Sequence, residues 1–294
     1  LQVNYYYLYN LYGEISNDPI RFRQFAYGES LLTIYNCGLN NKYEDVWSHH
    51  NYIIYVVEGR KVWHTSHGSY DLREGNCVFV RKGACIVEQF FDTEFCFLLF
   101  FIPDEFIYDV LKKKSTPIRK SEEKYDPVIA LNNNIGVQAF FQSMMTYFDA
   151  NAEPDPSLLE LKFRELILTI ATDHMNSGLI SYFSSLLREP QSISLQMVME
   201  ENFCFNLKLE EFARLCSRSL SSFKRDFQRL YNTSPSKWLM EKRLNHAMLL
   251  LTNMGKTVAE AAFESGFESA SHFSSSFRQR FGTSAVSVKN QASK

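Results

Sequence analysis

Residues 207–282 read LKLEEFARLCSRSLSSFKRDFQRLYNTSPSKWLMEKRLNHAMLLLTNMGKTVAEAAFESGFESASHFSSSFRQRFG, and this stretch decides the fold of the C-terminal third. Its apolar residues recur three and four apart, the period of amphipathic helices rather than strands. Leu209, Phe212, Ala213 and Cys216 mark a short helix, 217–219 (SRS) a turn, and Leu220, Phe223, Phe227 and Leu230 a second helix. The same unit returns as Val258, Ala261 and Ala262, a turn at 264–267 (ESGF), then Phe273, Phe277 and Phe281. Helix, tight turn, helix is the shape that places its second helix in a DNA major groove. Gly266 falls where the chain must turn, and a residue without Cβ takes positive φ there without strain. Ser219 and Ser269 precede helical stripes, where their oxygens can accept from orphan amides. Between the units, 235–253 reads as one long helix with Trp238, Leu239, Leu244, Met248 and Leu251 inward and Lys237, Lys242 and Arg243 outward. Held rigidly about one duplex turn apart, roughly 34 Å, the two units could enter successive grooves on one face of a duplex.

A length of 294 residues suggests about two domains. With 45% hydrophobic and 22% charged residues, the composition excludes the disordered and membrane classes. The most apolar run, 95–102 (FCFLLFFI), falls well short of the roughly 18 residues a membrane helix needs and reads as a buried strand. The aromatic stretch 1–12 has neither a basic flank nor a small-residue cleavage site, so a cytoplasmic location is expected. Cys37, Cys77, Cys85, Cys96, Cys204 and Cys216 form no C-x-x-C pair and read as free thiols. Charge is unevenly spread. Residues 190–294 carry 14 Lys+Arg against 9 Asp+Glu (+5), residues 1–189 carry 17 against 24 (−7), and together these make the net −2 of the chain. A basic tail on an acidic head fits a DNA reader joined to a module that avoids DNA.

From 21 to 107 short apolar runs alternate with turn residues: 52–57 (YIIYVV), 61–65, 70–72, 77–80 and 95–102, separated by EGR, SHGS, REGN and RKG. Strands so spaced predict an antiparallel sandwich or small barrel. The period then changes. Residues 135–150 and 158–175 predict amphipathic helices, joined by 151–157 (NAEPDPS), which holds two prolines and helix-capping residues. A charged stretch, 112–126, reads as a solvated linker, and 189–192 (EPQS) as a second boundary. The expected organisation is α+β: 1–125 barrel and linker, 126–189 helical segment, 190–294 all-α domain.

The C-terminal motifs resemble the AraC/XylS family of transcriptional regulators. The resemblance covers 207–284: L-x-x-F-A, S-x-x-x-F-x-R-x-F at 219–227, S-P at 234–235, R-L-x-x-A at 243–247, G-F-E-S at 266–269 and H-F-x-x-x-F-x-x-x-F-G at 272–282. It implies a sequence-specific regulator of the activator type, binding double-stranded DNA and engaging RNA polymerase. It places base contacts at Ser221, Lys224 and Arg225 on the first recognition helix and at Ser271, Ser274 and Ser275 on the second, beside Ala270. Arg and Lys suit the O6/N7 edge of guanine; the short serines leave the second helix a weak reader, with Lys237, Arg278 and Arg280 for phosphates. Asn232 and Ala285 depart from the family's usual Gly and Pro, and Val288-Lys289 from its Tyr-Arg.

The strand-rich part resembles, more loosely, the cupin-like β-barrel fused to such domains, with YVVEG at 55–59 and LREGNCVFV at 72–80 as landmarks. A metal-binding cupin needs an H-x-H pair and a following Glu. Here His49 and His50 are adjacent, so on one strand they would point to opposite faces, and Ile54 and Tyr55 stand where a carboxylate is wanted; no metal or other cofactor is expected. His64 and His67 flank a turn and read as exposed. Tyr52, Trp63, Phe79, Phe90 and Phe97 could line an effector pocket or be plain core. The helices at 135–187 could form a homodimer, as resemblance implies, or cover the barrel. No grouping of Ser/His/Asp or Cys/His suggests catalysis, so the chain reads as a regulator rather than an enzyme. The rival readings are a metal-dependent cupin enzyme with an accessory DNA-binding tail and a regulator controlled by a protein partner instead of a small molecule.

Overall fold

The computed structural model describes residues 8–36, 41–91, 95–118, 125–150, 152–188 and 195–292. Cys37 and the expected boundary at 189–192 lie outside the described residues. The chain divides into two compact units, Leu1–Ile193 and Ser194–Lys294; the first mixes sheets with helices and the second is helical. Among the described residues no helix is long and apolar enough to cross a membrane.

The first unit opens with β1 (Tyr9–Asn10), α1 (Leu11–Asn17), β2 (Gln24–Tyr27), β3 (Ser30–Tyr35), β4 (Tyr43–Ser48) and β5 (Asn51–Glu58). It continues with β6 (Arg60–Thr65), β7 (Gly68–Arg73), β8 (Cys77–Val80), β9 (Gly83–Gln89) and β10 (Cys96–Ile102). Then come α2 (Asp104–Lys112), β11 (Val128–Ala130), α3 (Ile135–Asp149), α4 (Pro156–Thr172) and α5 (Ser177–Arg188). The strands form two sheets, ordered β1-β4-β9-β6-β7 and β11-β8-β5-β10-β3-β2.

The six-stranded sheet is covered on both faces, and this explains why its strands read as unbroken apolar runs. Because side chains alternate along a strand, β10 sends Phe97, Leu99 and Phe101 toward the five-stranded sheet and Leu98, Phe100 and Ile102 toward the helices. Strands β5 and β8 divide the same way, with Tyr52, Ile54, Val78 and Val80 on one side and Ile53, Cys77 and Phe79 on the other. The helices bring aromatic rings to that second face: Phe141 stacks on Tyr55 at 4.6 Å, Phe163 meets Phe100 at 4.3 Å, and Tyr182 lies 5.5 Å from Phe79. The apolar stripes at 135–187 therefore lie on the sheet. Asn134 caps α3 by accepting from the Val137 amide, and Asp155 caps α4 with Pro156 in its first turn.

A buried polar cluster fastens α2 and α5 to the sheet. Lys82 Nζ lies 2.7 Å from Asp104 Oδ2, and Asn51 Nδ2 donates to Asp104 Oδ1 at 2.7 Å. The Tyr182 hydroxyl, at 1% exposure, sits 2.9 Å from the same Asp104 oxygen. A buried charge without its partner costs about 3–5 kcal/mol, so the members of this cluster depend on one another.

Three expectations are corrected by the structure. His49 and His50 do not share a strand: β4 ends at Ser48 and β5 begins at Asn51, so the pair forms the bend between them. Their rings lie 4.2 Å apart on the same side, each met edge-on by Tyr12, instead of on opposite faces. The stretch 112–126 is not solvated linker to its end, because Tyr125 is half-buried and donates to Ser185 Oγ at 3.2 Å, just before β11 joins the edge of the sheet; its residues 119–124 lie outside the described ones. His67 is exposed as expected, whereas His64 is partly buried, 3.0 Å from Glu88. The free thiols among the described residues are Cys77, Cys85, Cys96, Cys204 and Cys216.

His50 carries a testable consequence. Burial, then the neighbouring His49 and the Lys82 cation, lower its pKa to about 3, and the Asp104 carboxylate, which acts the other way, does not offset them. A histidine that stays neutral when folded but titrates near 6.5 when unfolded favours the unfolded state as pH falls below 6.5. The first unit should accordingly lose up to about 1.4 kcal/mol per pH unit between pH 6 and 4 from this group. Urea midpoints measured across that range should fall less steeply for His50→Gln than for the parent chain.

Candidate nucleic-acid interface

The second unit consists of α6 (Leu195–Asn202), α7 (Leu209–Leu215), α8 (Leu220–Tyr231), α9 (Pro235–Asn253), α10 (Val258–Glu264), α11 (Ala270–Phe281) and α12 (Ala285–Ala292). Its two helix–turn–helix pairs, α7–α8 and α10–α11, are built by the same local rules. Glu211 and Glu260 each reach back to the backbone amide at the start of their helix, from Lys208 and Thr257. Each first helix ends in a left-handed residue, Ser217 at φ 51° and Gly266 at φ 81°. Ser219 and Ser269 then cap the second helices, accepting from the Ser222 and His272 amides. Those helices stop at left-handed Asn232 and Gly282, so the asparagine that departs from the family pattern takes the same conformation as a glycine.

Phe223 and Phe227 point into the first pair, where Phe227 stacks on Tyr231 at 4.5 Å and meets Trp238 of α9 at 6.0 Å. Phe273 and Phe277 point into the second, packed with Leu244, Ala247, Leu250 and Leu251 of the same α9. With its inner face fixed by these rings, α8 exposes Ser221, Lys224 and Arg225, and α11 exposes Ala270, Ser271, Ser274 and Ser275. The expected reading residues of each helix thus share one outward face. Gln228 belongs to that face of α8 and was missed, although its place seven residues after Ser221 is a signal of it; Arg278 occupies the matching place on α11. Ser275 already donates to the His272 carbonyl at 3.0 Å, which leaves it little to offer a base. Arg280 lies over the Phe281 ring, on a different flank from Arg278, and Lys237 is exposed in the first turn of α9.

Lys242 and Arg243, expected outward, are turned inward along α9. Lys242 pairs with Glu200 of α6 and lies over Phe203 and Trp238. The half-buried Arg243 donates through Nε to the Phe203 carbonyl and through Nη2 to the Phe205 carbonyl, both at 2.7 Å. These carbonyls belong to the segment leading into α7, where a cation satisfies acceptors that no strand or helix could. The same segment touches the second turn: a Cβ on Gly266 would lie 2.5 Å from the Cys204 carbonyl oxygen, and Asn206 bonds to Glu268. Residues 203–206 are therefore clamped between α9 and the second helix–turn–helix, tying the two readers together beyond their shared long helix.

The five aromatic residues considered for an effector pocket are not brought together. Tyr52, Trp63 and Phe97 share the core between the sheets, where Trp63 Nε1 donates to the Tyr52 hydroxyl at 3.3 Å. Phe79 lies on the helix-covered face, and Phe90 follows β9 under the Arg60 guanidinium. Among the described residues, no three His, Cys, Asp or Glu side chains gather as a metal site would require.

Comparison with known proteins adds two family matches: a helix-turn-helix domain over residues 212–291 and an ExsA N-terminal regulatory domain over 51–182. The chain is 31% identical over 231 residues to the virulence regulon transcriptional activator VirF of Yersinia enterocolitica, covering 77% of this chain and 84% of that protein. The thermoregulatory protein LcrF of Yersinia pestis matches with the same identity and coverage. The HTH-type transcriptional regulator ExsA of Pseudomonas aeruginosa is 35% identical over 130 residues, 44% of this chain and 46% of that one.

The clamp predicts that Gly266→Ala costs at least about 2 kcal/mol, combining left-handed strain with a backbone clash. Hydrogen exchange across 195–292 should show the loss in both helix–turn–helix pairs; a loss confined to α10 and α11 would contradict the coupling.

Proposed function

The chain belongs to the AraC/XylS family of transcriptional regulators, and from that premise we propose how its parts divide the work of a DNA-binding activator. The observation that carries the reading is the pairing of two equivalent recognition helices on one α9, each with its polar face outward. Lys224 and Arg225 read base edges, with Ser221 adding a hydroxyl, because long cationic side chains reach the guanine O6/N7 edge. Ser271, Ser274 and Ser275 form a smooth face that lets α11 lie close in its groove, while Arg278, Arg280 and Lys237 meet phosphates. Sequence preference accordingly comes mainly from the first pair.

The boundaries we favour are 1–125, 126–189 and 190–294, with the two-sheet sandwich as a cupin-like regulatory barrel. The match of 51–182 to a regulatory domain supports control from this part. Tyr52, Trp63 and Phe97, each 2–3% exposed and with Trp63 meeting both of the others, fill the space between the sheets, which favours a protein partner over a small-molecule effector. Self-association is assigned to the outer face of α4, where Leu158 and Leu161 remain 40% and 64% exposed after the inner stripe is buried. As an activator working in the cytoplasm, the chain engages RNA polymerase on the promoter.

Two substitutions separate the roles. Arg225→Ala should cost about 1–3 kcal/mol on the best site and relax preference at one base position; selection from randomised duplexes with the full chain reads this directly, and an unchanged preference rejects the role. Arg278→Ala should weaken binding to every sequence alike and flatten the salt dependence by about 0.9 in slope. A loss restricted to one operator would assign Arg278 to base reading instead.

A further inference from the structure

One carboxylate stands among the cations of the first recognition helix. Asp226, with its side chain 16% exposed, lies 3.6 Å from Arg218 Nε, 3.7 Å from Arg225 Nε and 3.2 Å from Arg229 Nη2. Ser222 completes the group, donating to Asp226 Oδ2 at 3.3 Å and accepting from Arg225 Nη2 at 3.3 Å. Arg218 comes from the turn, so the cluster joins the turn to two successive helical turns of α8. Arg225 and Arg229 are 75% and 80% exposed, whereas the acid that gathers them is shielded on its own helix. No acid occupies the matching place on α11, which is Ser276.

We infer that Asp226 is a positioning residue that sets specificity: it holds Arg225 for base reading and withholds the neighbouring guanidinia from phosphate. This positioning role rests on the base-reading role given to Arg225. A guanidinium presents five donors; with Nε facing Asp226 and one Nη2 hydrogen spent on Ser222, Nη1 and the second Nη2 hydrogen are left for a base edge. The carboxylate also lowers the local charge from three positive to two, which penalises contact with phosphates of any sequence more than contact with a base donor–acceptor pair. Ion pairs to side chains as exposed as Arg225 and Arg229 contribute little to folding, so their effect belongs in binding.

Full-length Asp226→Asn, Asp226→Glu and Arg225→Ala chains test this by binding to the selected site and to random duplex over a salt series. Asp226→Asn should bind random duplex about 5-fold more tightly, with a salt slope steeper by about 0.9, and should lose base preference at the Arg225 position. Asp226→Glu, which keeps the charge, should leave random-duplex affinity at the parent value. Unchanged Asp226→Asn behaviour alongside altered Arg225→Ala preference overturns the Asp226 role alone, as does an equal rise in both Asp226 variants. An Arg225→Ala chain with unaltered preference overturns the base-reading role beneath it. Melting curves check folding, and Asp226→Ser carries the same comparison if the Asn variant melts early.

Discussion

Two short helices can read one duplex only if their separation is held, and in this chain α9 shares the holding with residues 203–206. The Phe203 and Phe205 carbonyls have no helical or strand partner, and Arg243 supplies one donor to each. Charge-assisted bonds of this kind are roughly twice as strong as neutral ones, and burial pulls the arginine pKa downward without removing its charge. On the far side the segment meets Gly266, where a side chain has no room. The glycine therefore answers two demands at once, a left-handed turn and a close approach, while its counterpart Ser217 answers only the first. That difference explains why one turn carries glycine and the other does not.

The helical third was legible because its pattern is local. Caps, turn residues and the Phe stripe of each recognition helix lie within a dozen positions of one another, and short-range sterics decide them. The same holds for β5 to β8 and β10, whose ends follow the turn residues closely, whereas β9 has no counterpart among the runs read. What escaped the reading depends on long-range contacts. Nothing near Lys82 announces Asp104, and nothing near Arg243 announces the carbonyls of 203–206. An arginine on a long amphipathic helix reads as outward by period alone, yet a guanidinium can turn back along the helix when acceptors wait there. The His49-His50 reading failed for a related reason: alternation applies within a strand, and the strand ends one residue earlier. Residues 135–187 illustrate a tie that sequence could not break, since a stripe that covers a sheet and one that meets a second copy have the same period.

The two recognition helices differ in a way that bears on energetics. With Lys224 and Arg225 on α8 and serines at the matching places on α11, the base-reading roles proposed above fall unequally on the two pairs. A bidentate contact distinguishes bases by about 1–3 kcal/mol, whereas a serine hydroxyl can serve as donor or acceptor to many edges. The second pair still matters to affinity, because a second groove contact made by a rigid unit adds phosphate contacts without a further loss of freedom on binding. The proposed division into a reader and an anchor rests on side-chain length.

Rigidity makes that division workable. An anchor that finds phosphates anywhere on DNA would favour every register equally, and it sharpens a reader only when the two are fixed in relative position. If residues 203–206 gave way, α11 could settle on its own phosphates while α8 sampled neighbouring registers, and the discrimination proposed for Lys224 and Arg225 would be diluted across them. On the roles proposed for these helices, sequence preference in the first helix–turn–helix depends on a contact made by the turn of the second, through Gly266 and Arg243, residues that need not touch DNA.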